Sequence, residues 1–137
     1  MSVFYVVFDT NVLVSALLTK RFDSPTSLLL DYVLEGKLVP LYNEEIIVEY
    51  KDVLHREKFK FANERINAVL DLICLGMELG RTPSGECFPD ADDAVFYEVA
   101  LSKEGSYIVT GNQKHFPKSP IVVSPMEMLK IIEIEKA

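Results

Sequence analysis

Val3-Phe4-Tyr5-Val6-Val7-Phe8-Asp9-Thr10-Asn11 decides how this chain folds. Its first six residues are all β-branched or aromatic, the types that suit a pleated, half-buried surface. An unbroken apolar run of this length fits a strand covered on both faces, as in a parallel sheet. The run ends abruptly in an acid and two small polar residues. Open α/β sheets bind ligands in the crevice outside the carboxyl ends of their strands. An aspartate placed there loses hydration and needs a partner, most simply a cation. Taken alone, the segment reads equally well as a helix N-cap, because Asp, Thr and Asn are all good capping residues.

Outward from this strand, apolar strands and amphipathic helices alternate. Val12 to Leu18 continues apolar into a helix. Ser24-Pro25 starts a second, which stops at Gly36, in the N-cap, N1-proline and C-terminal glycine pattern. Leu38 to Tyr42 is the next strand. Asn43 caps a third helix reaching about Glu57, and a fourth spans about Asn63 to Leu79. Arg81 to Pro89 is a loop with room for a short strand, and Asp90 opens a helix that ends before Gly105. Ser106 to Thr110 and Ile121 to Val123 are strands around the loop Gly111 to Pro120, and Ser124-Pro125 begins a C-terminal helix. Strands separated by helices predict a mostly parallel central sheet covered on both faces. The expected fold is a three-layer α/β/α arrangement, with residues 1–137 as a single domain.

Nearly half of the 137 residues are hydrophobic and 26% are charged, a globular profile rather than a disordered one. The apolar runs are too short to span a bilayer, and Asp9 interrupts the first of them without a basic segment before it, so no secretory signal is expected. Cys74 and Cys87 lack metal-type spacing and read as reduced thiols of a cytoplasmic protein. The net charge of −7 argues against a general nucleic-acid coat protein. Asp9, Glu49, Asp90 and Asp93, if gathered at one metal site, account for four of those charges. Bound divalent cations would neutralise that place for a phosphate.

The helix after Asn43 carries Ile46, Tyr50, Val53 and Leu54 on its apolar stripe. At 100° per residue Glu49 falls about 100° from the centre of that stripe, on its border, whereas Glu45 and Asp52 turn further toward solvent. In the segment Asp90-Ala91-Asp92-Asp93-Ala94, Asp93 lies on the stripe formed with Tyr97 and Ala100. Asp90 shares that side and Asp92 points away. Capping explains Asp90 and Asp92, but an acid on a buried stripe needs a partner. Tyr107-Ile108-Val109-Thr110-Gly111-Asn112 is a second strand ending in small polar residues. Asn112 there offers a carbonyl oxygen to Mg²⁺ or its water, or stabilises an ordinary turn. Three acids and an amide thus arise at two strand ends and two helix faces, the oxygen-rich, multi-segment donor set of a hard cation. Two-metal phosphodiesterases use such carboxylates to activate water and stabilise a leaving oxygen.

Asp9-Thr10-Asn11-Val12, Glu49, the Asp90-x-x-Asp93-Ala94 helix start and Thr110-Gly111-Asn112 through His115-Phe116 resemble, in order and over the whole chain, the PIN-domain nucleases. More narrowly, they resemble the toxin components of prokaryotic toxin–antitoxin pairs. The resemblance implies a PIN-like fold and a Mg²⁺- or Mn²⁺-dependent endoribonuclease, often a homodimer, neutralised by an antitoxin protein. It assigns catalytic and metal-holding roles to Asp9, Glu49 and Asp93, with Asp90 as the extra acid some members carry. Thr10, Asn11 and Asn112 would orient water or metal. Asn112 departs from the pattern, since many members have aspartate there.

Two other readings compete. Phosphoryl transfer through an aspartyl phosphate on Asp9 usually wants a second aspartate two residues on, where this chain has Asn11. A catalytically weak or inactive PIN-like domain would bind RNA or protein without cutting. Clustered carboxylates count against that reading and Asn112 favours it. His115, near the expected site, reads as a loop residue packing beside Phe116 or as a contact to a phosphate, and His55 as structural or exposed. Arg56, Lys58, Lys60 and Arg65 form a basic cluster able to hold an RNA backbone or simply to sit solvated.

Overall fold

The computed structural model describes residues 3–136. Its strands are β1 (Phe4–Phe8), β2 (Leu38–Tyr42), β3 (Met77–Glu78), β4 (Tyr107–Val109) and β5 (Val122–Val123). Its helices are α1 (Thr10–Leu18), α2 (Pro25–Leu34), α3 (Glu44–Leu54), α4 (Asn63–Ile73), α5 (Ala94–Leu101) and α6 (Pro125–Lys136). Among the described residues, the strands form one sheet in the order β3-β2-β1-β4-β5, and every pairing is parallel. Val6, Val7 and Phe8 of the middle strand are completely buried, as a strand covered on both faces requires. α2 packs on α6 and β2, while α5 packs across β1, β2 and β4, which completes the three-layer α/β/α arrangement. None of the helices among the described residues is long and apolar enough to cross a membrane.

Local chemistry sets the helix starts. The Ser24 side chain accepts the Ser27 N–H with Pro25 at the first helical position, and Asn43 Oδ1 accepts the Ile46 N–H at 2.9 Å. Each satisfies one of the amides a helix start leaves without an internal partner.

The stretch expected as one helix from Asn63 to Leu79 is corrected. Its helix ends at Ile73, and Met77–Glu78 pairs with Leu41 and Tyr42 as an edge strand. The third helix likewise ends at Leu54 rather than near Glu57, and the Arg81–Pro89 segment holds no strand. Gly76, in the turn between α4 and β3, lies directly against the backbone of Pro40. A Cβ on Gly76 would lie 1.8 Å from the Pro40 carbonyl oxygen. Glycine admits such close backbone approach and other residues do not. Gly76→Ala is therefore expected to lower stability by about 1–3 kcal/mol, the usual cost of overpacking. Urea unfolding checks this, and an unchanged midpoint would mean that β3 yields without cost.

Candidate metal centre

The order of the sheet reverses between β1 and β4, so the chain leaves their carboxyl ends in opposite directions and opens a crevice there. Phe8 pairs with Val109, which sets Asp9 and Thr110 side by side at the rim. The Asp9 N–H donates to the Val109 carbonyl at 2.9 Å and the Thr110 N–H to that of Val123 at 2.9 Å. Asp9 precedes α1 but makes no side-chain cap bond, so the capping reading does not account for its carboxylate. Instead, Oδ2 of Asp9 accepts the hydroxyl of fully buried Thr110 at 2.7 Å. The Thr110 oxygen in turn accepts the Asn112 N–H at 2.9 Å.

Glu49 reaches the same rim from α3, half-buried as its position on the stripe border predicts. Its Oε2 accepts the Thr10 hydroxyl at 2.5 Å. The next residue, Tyr50, is completely buried and donates its hydroxyl to the Phe8 carbonyl. That bond ties α3 to the residue just before Asp9 and fixes where Glu49 can stand. Asp93 closes a 3₁₀ turn, Ala91–Asp93, that leads into α5. Asp90 caps this turn by accepting the Asp92 N–H at 2.9 Å.

The three acids share one electrostatic problem. Burial raises the Asp9 carboxyl above its ordinary range, and the Thr110 hydroxyl, the Thr10 amide and His115 offset only part of this. Glu49 is raised by burial, and further by Asp9, Asp92 and Asp90, against the relief given by Thr10. Asp93 is pushed up to about 6 by burial and by Asp9, Asp90 and Glu49, with His115 pulling the other way. Its Oδ2 is buried and, among the described residues, has no hydrogen-bond partner. His115 Nδ1 stands 3.4 Å away, within ion-pair distance but not aligned as a hydrogen bond.

The crevice thus gathers Asp9, Glu49, Asp90 and Asp93 into one field. Asp92 is exposed, as its place off the stripe predicts. It lines a groove of about 400 Å³ together with Glu49 and adds to the field on that residue. Glu45 also lines that groove and is bound by Arg81 at 2.8 Å. Asn11 turns to the second strand end, its Oδ1 accepting the Gly111 N–H at 3.2 Å. Asn112 sits beside His115, with Nδ2 and Nε2 3.0 Å apart.

The sequence alone gives no sign of Tyr50 as a part of the site, and it sets Thr110 and His115 near the site without showing their partners Asp9 and Asp93. A threonine ending a strand and a tyrosine on an apolar stripe look ordinary until the fold brings them to residues 101 and 42 positions away.

As the side chains stand, no three or more His, Cys, Asp or Glu among the described residues form a ready group for a metal ion. Thr110 and Thr10 hold Asp9 and Glu49 in their present rotamers. The chemistry of the set still fits a hard cation: oxygen donors only, mutually repelling, with one buried oxygen that accepts no hydrogen bond among the described residues.

A carboxyl whose folded pKa is raised stabilises the fold fully below its unfolded pKa, and that contribution is lost as pH rises through the folded value. For Asp93 the window runs from about pH 4 to about pH 6. Metal-free Asp93→Asn is therefore expected to gain stability over the parent at about pH 7.5 and to gain little near pH 4. Urea unfolding of both proteins at the two pH values checks this, and an equal gain at both would remove ionisation as the cause.

A family profile described as PIN domain matches residues 5–114. Comparison with curated proteins finds no significant match.

Proposed function

The chain belongs to the PIN-domain family, and from that premise we propose that it is a Mg²⁺- or Mn²⁺-dependent endoribonuclease that hydrolyses RNA phosphodiester bonds. PIN domains are generally nucleases, and the rim acids supply what such chemistry needs. The observation that carries the reading is the buried Oδ2 of Asp93, which among the described residues accepts no hydrogen bond and has only His115 at 3.4 Å beside it, in the shared field of Asp9 and Glu49. Leaving such an oxygen unsatisfied is costly unless a ligand completes it. Asp9, Glu49 and Asp93 would hold the cation, with Asp90 at the margin. When bound, the cation supplies Lewis acidity, which favours ionisation of water and stabilises charge on the phosphodiester oxygens.

The chain's own residues set the stage for that chemistry. Thr110 and Thr10 fix the rotamers of Asp9 and Glu49. Asn11 ties the two strand ends together through Gly111. Asn112 contributes an amide where many members of the family carry one further acid. Asn112→Asp is therefore expected to lower, by severalfold, the Mg²⁺ concentration that half-saturates cleavage, since anionic ligands bind a hard dication more strongly. Superimposable Mg²⁺ titrations of the two proteins would assign Asn112 to the turn alone.

The resemblance to toxin components supports the finer reading that the protein is the toxin of a toxin–antitoxin pair, cytoplasmic, homodimeric and held inactive by an antitoxin. Exposed Leu34 and Val48 on α2 and α3 offer apolar surface for such contacts, and a light-scattering mass of one chain at micromolar concentration would count against the dimer. A weak or inactive RNA-binding domain is the second reading. It draws on the absence of a ready three-acid group among the described residues and on Asn112.

Purified protein incubated with mixed RNAs decides between the two. Cutting with Mn²⁺ that stops in EDTA supports the nuclease. RNA retained intact in both conditions supports the binding domain, and cutting indifferent to chelation overturns the role of the acids.

A further inference from the structure

The connection between α3 and α4 reads Arg56-Glu57-Lys58-Phe59-Lys60-Phe61, alternating cations with aromatic rings. The rings of Phe59 and Phe61 stack, with centroids 5.2 Å apart and planes 7° from parallel. Phe61 packs against the core, whereas Phe59 is half-buried and, among the described residues, belongs neither to the core nor to the side chains packed on it. Lys58 and Lys60 are exposed. Neither makes an ion pair among the described residues, and the Lys58 ammonium lies 5.1 Å from the Phe59 ring centre. Lys60 has φ +53°, the left-handed region that no other non-glycine enters among the described residues. Such a conformation persists only when its surroundings impose it. Here turn bonds from the Phe59 N–H to Arg56 and from the Lys60 N–H to Glu57 do so.

Residues 56–65 hold four cations against two acids, in a chain whose net charge is −7. A polyanion repelled by most of this surface is drawn to this stretch. The Phe59 ring is stacked on Phe61 and approached by the Lys58 ammonium, so a base would stack on it as that ammonium turns aside to the phosphate of the same strand, one base face and one phosphate at a time. α3 itself links the stretch to the carboxylates. α3 ends at Leu54, so five helical residues at about 1.5 Å each and five more at no more than about 3.6 Å each keep Phe59 within about 26 Å of Glu49, a span that one extended strand can bridge.

We propose that Lys58, Phe59 and Lys60 form a docking platform for single-stranded RNA, separate from the metal centre and feeding it. This rests on the ribonuclease reading for its substrate class. A structural alternative is that Phe59 only staples the turn, which a leucine of similar bulk would also do.

The test is binding of an unstructured oligouridylate of about 20 nucleotides to the full chain in EDTA, where no cleavage is needed. It can therefore succeed even if the nuclease assay fails, and the reverse also holds. Lys58→Gln with Lys60→Gln is expected to weaken binding about tenfold and to reduce the slope of log K against log salt by about 1.4, since each phosphate contact on a single strand contributes about 0.7. Phe59→Leu is expected to weaken binding about fivefold or more through lost stacking, with the melting temperature held. An unchanged salt slope in the lysine variant overturns the proposal. So does wild-type affinity in folded Phe59→Leu, or a parent protein that fails to bind the oligonucleotide.

Discussion

Asp9→Asn is expected to abolish Mn²⁺-dependent RNA cleavage, by at least about 10³-fold, while leaving the protein folded. The activity loss follows from the position of Asp9 at the strand switch point, where it is the most buried of the rim acids. A bound metal ion contributes several kcal/mol of transition-state stabilisation, and each 1.36 kcal/mol is a factor of ten in rate. Stability should move the other way, or not at all. Burial already disfavours ionised Asp9, and its neighbours Glu49 and Asp93 are both raised partly by its charge. An asparagine oxygen can still accept the Thr110 hydroxyl, so that hydrogen bond survives. Cleavage assays paired with urea unfolding in EDTA test both halves. Cleavage within about tenfold of the parent would place the reaction elsewhere, and unfolding of the variant would contradict the stability half by making Asp9 a structural residue.

Glu49 and Glu45 form an internal control one helical turn apart on α3. Glu49→Gln is expected to lose about 10²-fold or more of the cleavage rate, because the residue stands in the field of Asp9 and Asp93 and meets Thr10. Glu45→Gln should stay within about twofold. Its carboxylate is exposed and engaged by Arg81, which Glu98 also binds, and exposed ion pairs contribute little. Equal losses at the two positions would mean that the groove rather than the strand-end cluster carries the chemistry.

The sequence revealed those parts of the fold that repeat a local signal. The β1 run, the Ser24-Pro25 and Asn43 helix starts, and the strands leading to Asp9 and Thr110 each announce themselves through neighbouring residues. β3 could not, because two residues carry no period, and Gly76 is needed only for its encounter with Pro40, 36 positions away. The same divide runs through the site. Asp93 stood out because an acid on an apolar stripe demands a partner, and Glu49 because it borders one. The partners of Thr110 and His115 did not, since they are set by hydrogen bonding and charge across the folded crevice. Asp92 turns to the surface as the wheel predicts, while the effect of its charge on Glu49 of α3 is a tertiary one that a wheel drawn for a single helix does not contain.

The central claim is that Asp9, Glu49 and Asp93 together hold a divalent cation, and the most direct measurement is the melting temperature with and without Mn²⁺. A ligand that binds only the folded state stabilises it by about 2.7 kcal/mol at one hundred times its dissociation constant. Saturating Mn²⁺ should therefore raise the parent's midpoint by several degrees and leave Asp9→Asn and Asp93→Asn almost unmoved. A parent whose midpoint ignores Mn²⁺, or an equal rise in all three proteins, would contradict the account.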